Sequence, residues 1–181
     1  QGMGTHYDPV NRKIDYIPLG QNARDLRILV MDTGTDRPGL DKSTYKIRRQ
    51  ECEKLVALAN DAGYKIKSLA DIKDDRLYND ITEKLSPIHP CLCMRLDYIY
   101  NAQKRFYQML DAWRNGDIET LGRIFRLDGI GLRDRYEISG PELETMCDIV
   151  RTVPGVLGER MLGGGDKGAA GALATEKSVT N

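Results

Sequence analysis

Extended, β-type segments stand at both ends of this chain, and a long stretch of helical periodicity lies between them. Thr5-His6-Tyr7-Asp8-Pro9 and Ile14-Asp15-Tyr16-Ile17-Pro18-Leu19 alternate apolar and polar residues around a turn at Val10-Asn11-Arg12-Lys13. That period of two is the pattern of a half-exposed hairpin. Arg27-Ile28-Leu29-Val30-Met31-Asp32 is a short apolar run that reads as a buried central strand, followed by a turn-rich loop, Thr33-Gly34-Thr35-Asp36-Arg37-Pro38-Gly39. Strand character returns at Val156–Leu162 and Gly171–Ala174, before a polar end at Thr175–Asn181. Strands at both ends with helices between predict an α+β fold, an antiparallel sheet shared by the two ends and covered by a helical layer.

Four apolar stripes carry the middle of the chain. Tyr45, Cys52, Leu55, Val56 and Ala59 share one helical face that ends at Gly63. Leu92, Leu96, Ile99, Phe106, Leu110 and Trp113 step by three or four residues, with Gln103 in the one gap, up to Gly116. Ile118, Leu121, Phe125, Leu132 and Tyr136 form a third stripe, interrupted by Gly129 and Gly131; Leu143, Met146, Val150 and Val153 form a fourth. Ser139 and Glu142 read as a capping box for the last helix, with Pro141 in its first turn and Pro154-Gly155 as its stop.

The 181 residues suit one domain or a large piece of one. Lys+Arg and Asp+Glu are equal at 27 each, a balance that argues against non-specific nucleic-acid binding, which runs on a basic surface. With 40% hydrophobic and 30% charged residues the composition is globular. No apolar run approaches the roughly 18–20 residues of a membrane span, and no signal-peptide pattern is present, so the expected location is the cytoplasm with no membrane partner. The start at Gln1 and the polar end lead us to expect a piece of a longer protein. Cys52, Cys91, Cys93 and Cys147 are too few for a disulfide framework. Cys91-Leu92-Cys93 follows His89-Pro90, but the other histidine is the distant His6, so these are read as ordinary thiols and no metal site is expected.

Gly163-Gly164-Gly165-Asp166-Lys167-Gly168 contains the letters of GxGxxG. A dinucleotide site would need a following helix and a ribose-holding acid about 20 positions on, whereas positions 169–181 open with alanine and glycine and end polar. A Walker A loop fails because Ala169 follows Gly168 where lysine is required. A tight turn between two strands is one reading. Three consecutive glycines exceed what a turn needs, and each costs roughly 0.5–1 kcal/mol of chain entropy. The other reading is a bare main chain that a ligand approaches closely.

Four ordered motifs carry a resemblance to a known family. Val153-Pro154-Gly155-Val156-x-Gly158-x-Arg160-Met161-x-Gly163-Gly164-Gly165 resembles the third motif region of galactokinases, in the GHMP small-molecule kinase superfamily. Leu132-Arg133-Asp134-x-Tyr136-Glu137-Ile138-Ser139-x-Pro141-Glu142-Leu143 is similar to the family's segment joining two helices. Ser43-x-Tyr45-x-x-Arg48-Arg49-x-x-Cys52 is similar to the helix after its sugar-proximal strand, and Asp32-Thr33-Gly34 fits the end of that strand. The match runs from about residue 5 to 174.

The resemblance implies the C-terminal half of an ATP- and Mg2+-dependent sugar kinase that phosphorylates the anomeric hydroxyl of a galactose-like sugar. Residues 1–24 would then be a hairpin remnant of the kinase N-terminal domain, and residues 25–181 the C-terminal domain, truncated at its end. The sugar-binding start motif, the Ser-rich phosphate loop and the catalytic aspartate are absent, so no catalytic residue is expected here. The missing N-terminal half would be the partner, and self-association through the exposed apolar surface is expected. By the resemblance Tyr45 lies against the sugar, with Gly163, Gly164 and Gly165 close to it; core packing is the rival role for Tyr45. The family continues its glycines with Phe-Gly-Gly, and this chain with Asp166-Lys167-Gly168. Lys167 could then approach a transferring phosphate and Asp166 a sugar hydroxyl, or the two could pair with each other. Arg48, Arg49, Arg133 and Arg135 are read as structural or surface charges beside Glu51, Glu53 and Asp134. Two other classes stay open: a non-catalytic homologue acting as a sugar-sensing or interaction module, and a helical interaction domain with a small sheet.

Overall fold

The computed structural model describes residues 3–9, 11–35 and 43–179. Val10 of the first turn, the loop positions Asp36–Gly39, and Gln1, Thr180 and Asn181 at the ends lie outside the described residues.

The hairpin forms as its alternation predicts. Strand β1 (Met3–Asp8) pairs antiparallel with β2 (Lys13–Pro18), Met3 opposite Pro18 and Asp8 opposite Lys13. A two-stranded ribbon is marginal alone. This one is anchored on a helix by Trp113, whose indole N–H donates to the Ile17 carbonyl at 2.9 Å.

The two ends of the chain do share a sheet. Strand β3 (Leu26–Asp32) pairs antiparallel with β5 (Ala169–Thr175), and β5 pairs antiparallel with β4 (Val156–Met161), giving the order β3-β5-β4. The central strand is therefore β5, which corrects the reading of the Arg27–Asp32 run as central. Ile28 and Val30 are 63% and 68% exposed, because the helices pack on β4 and β5 and leave one face of β3 open. β5 suits the middle position: Ala170, Ala172 and Ala174 are fully buried and let neighbouring elements approach closely.

Five helices fill the middle of the chain: α1 (Thr44–Asp61), α2 (Asp75–Leu85), α3 (Pro90–Asn115), α4 (Ile118–Asp134) and α5 (Pro141–Arg151). Helices α4 and α5 lie on the sheet, α3 packs on α4, and α1 and α2 pack on α3; a single turn, α6 (Glu176–Val179), follows β5. Helix α2 was not among the four expected stripes. Asp74 caps it by accepting the Leu77 N–H at 2.9 Å, and Ile81 and Leu85 enter the core with Leu55, Ala59, Ile72 and Leu96. Helix α3 ends, as read, on Gly116 in the left-handed conformation. Helix α4 runs unbroken through Gly129 and Gly131. At Gly129 a Cβ would stand 2.7 Å from the Arg160 Cβ, so the glycine serves close helix-to-strand contact and is not an interruption. The capping box at Ser139 does not form: Gly140 is the N-cap of α5, Pro141 is its first residue, and the buried Ser139 hydroxyl has no hydrogen-bond partner among the described residues. No described helix is long and apolar enough to cross a membrane.

Candidate functional site

Three pieces of chain meet at one end of the sheet: the end of β3, the loop between β4 and β5, and the first turn of α1. The loop closes where the Leu162 N–H donates to the Ala169 carbonyl at 2.8 Å. The Gly168 carbonyl accepts both the Thr33 N–H at 2.8 Å and the Thr33 hydroxyl at 2.6 Å, which ties the loop to Asp32-Thr33-Gly34. Gly163, Gly165, Asp166 and Gly168 all take positive φ. Gly165 is demanded twice over, by its φ of +85° and by the Ile138 carbonyl oxygen 2.2 Å from where a Cβ would sit.

Gly164 is different. It is not among the positive-φ residues, and a Cβ there would meet one neighbour, Tyr45 Cδ2 at 3.9 Å. Among the described residues nothing requires glycine at 164; the bare main chain leaves open space facing an aromatic ring. Tyr45 and Gly164, 119 positions apart, are thus brought together. Tyr45 is 48% exposed, so core packing does not account for it.

Asp166 and Lys167 take separate partners. The Asp166 carboxylate Oδ2 accepts the Thr44 N–H at 2.6 Å, and the Lys167 ammonium lies 3.9 Å from a Glu142 carboxylate oxygen. Arg48, Arg49, Arg133 and Arg135 each face an acid of the protein, at 2.9 Å (Glu51), 2.9 Å (Glu53), 2.7 Å (Asp134) and 3.3 Å (Asp97). That geometry agrees with structural roles.

Beside Tyr45 opens a cleft of about 520 Å³, walled by Cys52, Val56, Leu69, Ile99 and Tyr136. The Cys52 thiol lies 3.7 Å from the Tyr136 hydroxyl, and burial pushes both groups above their ordinary pKa.

Under this surface lies an ion cluster that sequence reasoning missed. Arg95 is 1% exposed; its guanidinium donates to Glu51 at 2.6 Å, to the Arg135 carbonyl at 2.5 Å and to Glu137 at 2.5 Å. Arg48 adds a bond to the Glu137 carbonyl at 3.0 Å and bridges to Glu51. Burial pushes the Glu51 carboxyl up, but the hydrogen bonds from Arg95 and Arg48 outweigh it and hold it below its ordinary range. Two more buried acids lie in the adjoining layer. Asp128 meets Arg105 and Arg160, and Glu159 is held by Arg126 and Arg151 at 2.9 and 2.7 Å. The signal was available: positions 92, 95, 96 and 99 share one helical face, so Arg95 is a charge on a core stripe.

All four cysteines are free thiols, Cys91 exposed and Cys93 and Cys147 buried. Among the described residues no three His, Cys, Asp or Glu side chains converge as a metal site.

No family model matches the chain. Among curated relatives, the galactokinase of Lacticaseibacillus casei is 32% identical over 179 residues, covering 98% of this chain and 44% of the relative. That of Limosilactobacillus fermentum is 34% identical over 173 residues, covering 92% and 41%. Among solved structures, Lactococcus lactis galactokinase complexed with galactose superposes with a TM-score of 0.84 at 25% identity, over 99% of this chain and 44% of that one. The chain belongs to the galactokinase family. It spans 41–44% of the length of these galactokinases and corresponds to their C-terminal part. L. major mevalonate kinase in complex with R-mevalonate shares the fold alone, with a TM-score of 0.56 at 17% identity over 98% of this chain and 42% of that one. The antiparallel sheet with its helical layer is thus a GHMP kinase architecture.

Proposed function

We propose that this galactokinase-family chain forms one wall of the sugar pocket of an ATP-dependent kinase that phosphorylates the anomeric hydroxyl of a galactose-like sugar. The observation that carries the reading is Gly164. Its position needs no glycine for φ or for packing, yet the space it leaves open faces the half-exposed ring of Tyr45. A sugar ring between an aromatic face and a main chain without Cβ atoms would bury its apolar C–H face while peptide groups meet its hydroxyls. The galactose complex of the Lactococcus lactis relative supports a sugar as the occupant.

In this reading Tyr45 and Gly163–Gly165 contact the sugar, and Lys167, held loosely by Glu142, is the loop's cation for a transferring phosphate. ATP enters by family membership and binds mainly through the other part of the kinase. Among the described residues no group of three His, Cys, Asp or Glu side chains is placed to hold a Mg2+ ion. Strands β1 and β2 form a two-stranded sheet of their own, which supports assigning residues 1–24 to the kinase N-terminal domain and residues 25–181 to the C-terminal domain. The open face of β3, with Ile28 and Val30, is where the companion half seats or, without it, where copies of the chain associate.

The test is Tyr45→Ala in the intact protein. The KM for galactose is expected to rise about tenfold, the loss of one well-packed aromatic contact, while the KM for ATP holds. An unchanged galactose KM removes Tyr45, and with it this wall, from the sugar site.

A further inference from the structure

We infer that Asp166 is a positioning residue: its carboxylate is a clasp that sets the glycine loop against the helix that carries Tyr45. The inference rests on the reading of Tyr45 and Gly164 as the sugar wall.

The first four N–H groups of a helix have no intrahelical acceptor, and a Ser, Thr, Asp or Asn at the N-cap normally supplies one. Ser43 occupies the N-cap of α1, yet its side chain makes no capping bond. The acceptor comes instead from 122 residues away, where Asp166 Oδ2 takes the Thr44 N–H at 2.6 Å. Thr44 is the immediate neighbour of Tyr45.

The other end of the clasp is fixed by main chain. The Asp166 N–H donates to the Ile138 carbonyl at 2.8 Å, and the Asp166 carbonyl lies where a Cβ on Gly140 would be 1.9 Å away. One residue therefore joins the α4–α5 linker, the glycine loop and the start of α1. Asp166 does this at a φ of +60°, a conformation that favours glycine and that Asp and Asn tolerate. Glycine there would relieve the backbone, so the side chain is kept for what it holds.

Two substitutions in the intact protein separate the clasp from mere stability. Asp166→Gly removes the acceptor and relaxes the left-handed backbone; Asp166→Asn keeps an acceptor oxygen and tolerates the same φ. In the ligand-free protein, amide exchange at Thr44 is expected to speed up about five-fold in Asp166→Gly, the size of a lost cap. The KM for galactose should rise roughly three- to ten-fold with kcat within two-fold, and Asp166→Asn should restore both. Unchanged Thr44 exchange in Asp166→Gly overturns the clasp directly. Faster exchange with an unchanged galactose KM overturns the positioning role, and Tyr45→Ala then tells whether the sugar reading survives. A raised KM there leaves the wall standing; an unchanged one removes the wall and this inference together.

Discussion

Replacing Arg95 by Met tests the ion cluster beneath the site. Methionine fills much of the arginine volume, so the change removes charge and donors more than packing. It leaves the Arg135 carbonyl and two carboxylates without the donors that reach them at 2.5–2.6 Å. Breaking a buried pair costs about 3–5 kcal/mol when the stranded charge cannot reach water. Here the Glu51 and Glu137 side chains are 24% and 49% exposed and Arg48 still bridges to Glu51, which brings the cost down to or just below the lower end of that range, about 2–3 kcal/mol. The sign with pH follows from Glu51. Its folded pKa lies below 4.5, so its contribution is fully present above that value and is lost as pH falls through the folded pKa. The gap between wild type and Arg95→Met should therefore be full at pH 7 and narrow once the pH falls below about 4.5. Urea unfolding followed by far-UV circular dichroism at both pH values measures it. A gap below about 1 kcal/mol at pH 7, or one that does not change with acid, would refute the reasoning.

The glycine loop gives a paired prediction. Gly165→Ala should destabilise the chain by at least 2 kcal/mol or so, from positive φ and the Ile138 carbonyl. Gly164→Ala should stay within about 0.5 kcal/mol yet weaken galactose binding several-fold; thermal melts and a galactose titration check both. The thiols should separate by rate. Exposed Cys91 reacts first with a thiol reagent at pH 8, while Cys93 and Cys147 lag, Cys147 most because burial pushes its pKa up to about 11. Counting thiols released in seconds against those released only in denaturant decides it.

The architecture was largely readable because each long element carries its own periodicity. The stripes at Leu92–Trp113 and Leu143–Val153 describe faces that the fold largely buries, Phe106 and Val153 excepted. The hairpin alternation foretells the strand pairing but not the burial: Ile17 is buried, and Tyr7, Ile14 and Tyr16 stay exposed. What escaped reading depended on partners distant in sequence. The Leu77, Ile81, Leu85 spacing of α2 is regular, but it lies within eleven residues crowded with charge. An apolar run says that a strand exists, not whether it lies at the centre or the edge, and only pairing with β5 places β3 at an edge. Ser139 has the letters of a cap but sits one residue early: α5 starts at Pro141 behind Gly140, where the Asp166 carbonyl leaves no room for a side chain. Of the site, the glycines and Tyr45 came from motif resemblance; that they face each other, and that Asp166 spans the gap between their supports, are facts of tertiary contact.

The pairing of Leu26 with Thr175 also orders events during synthesis. On a ribosome adding about 5–20 residues per second, β3 emerges roughly 7–30 seconds before the strand that completes it. Throughout that interval Ile28 and Val30 ride on a nascent strand with unpaired edges, a ready target for chaperones and for sister chains on the same polysome. Productive folding of this polypeptide is thus a matter of waiting, and slower translation would lengthen the hazard.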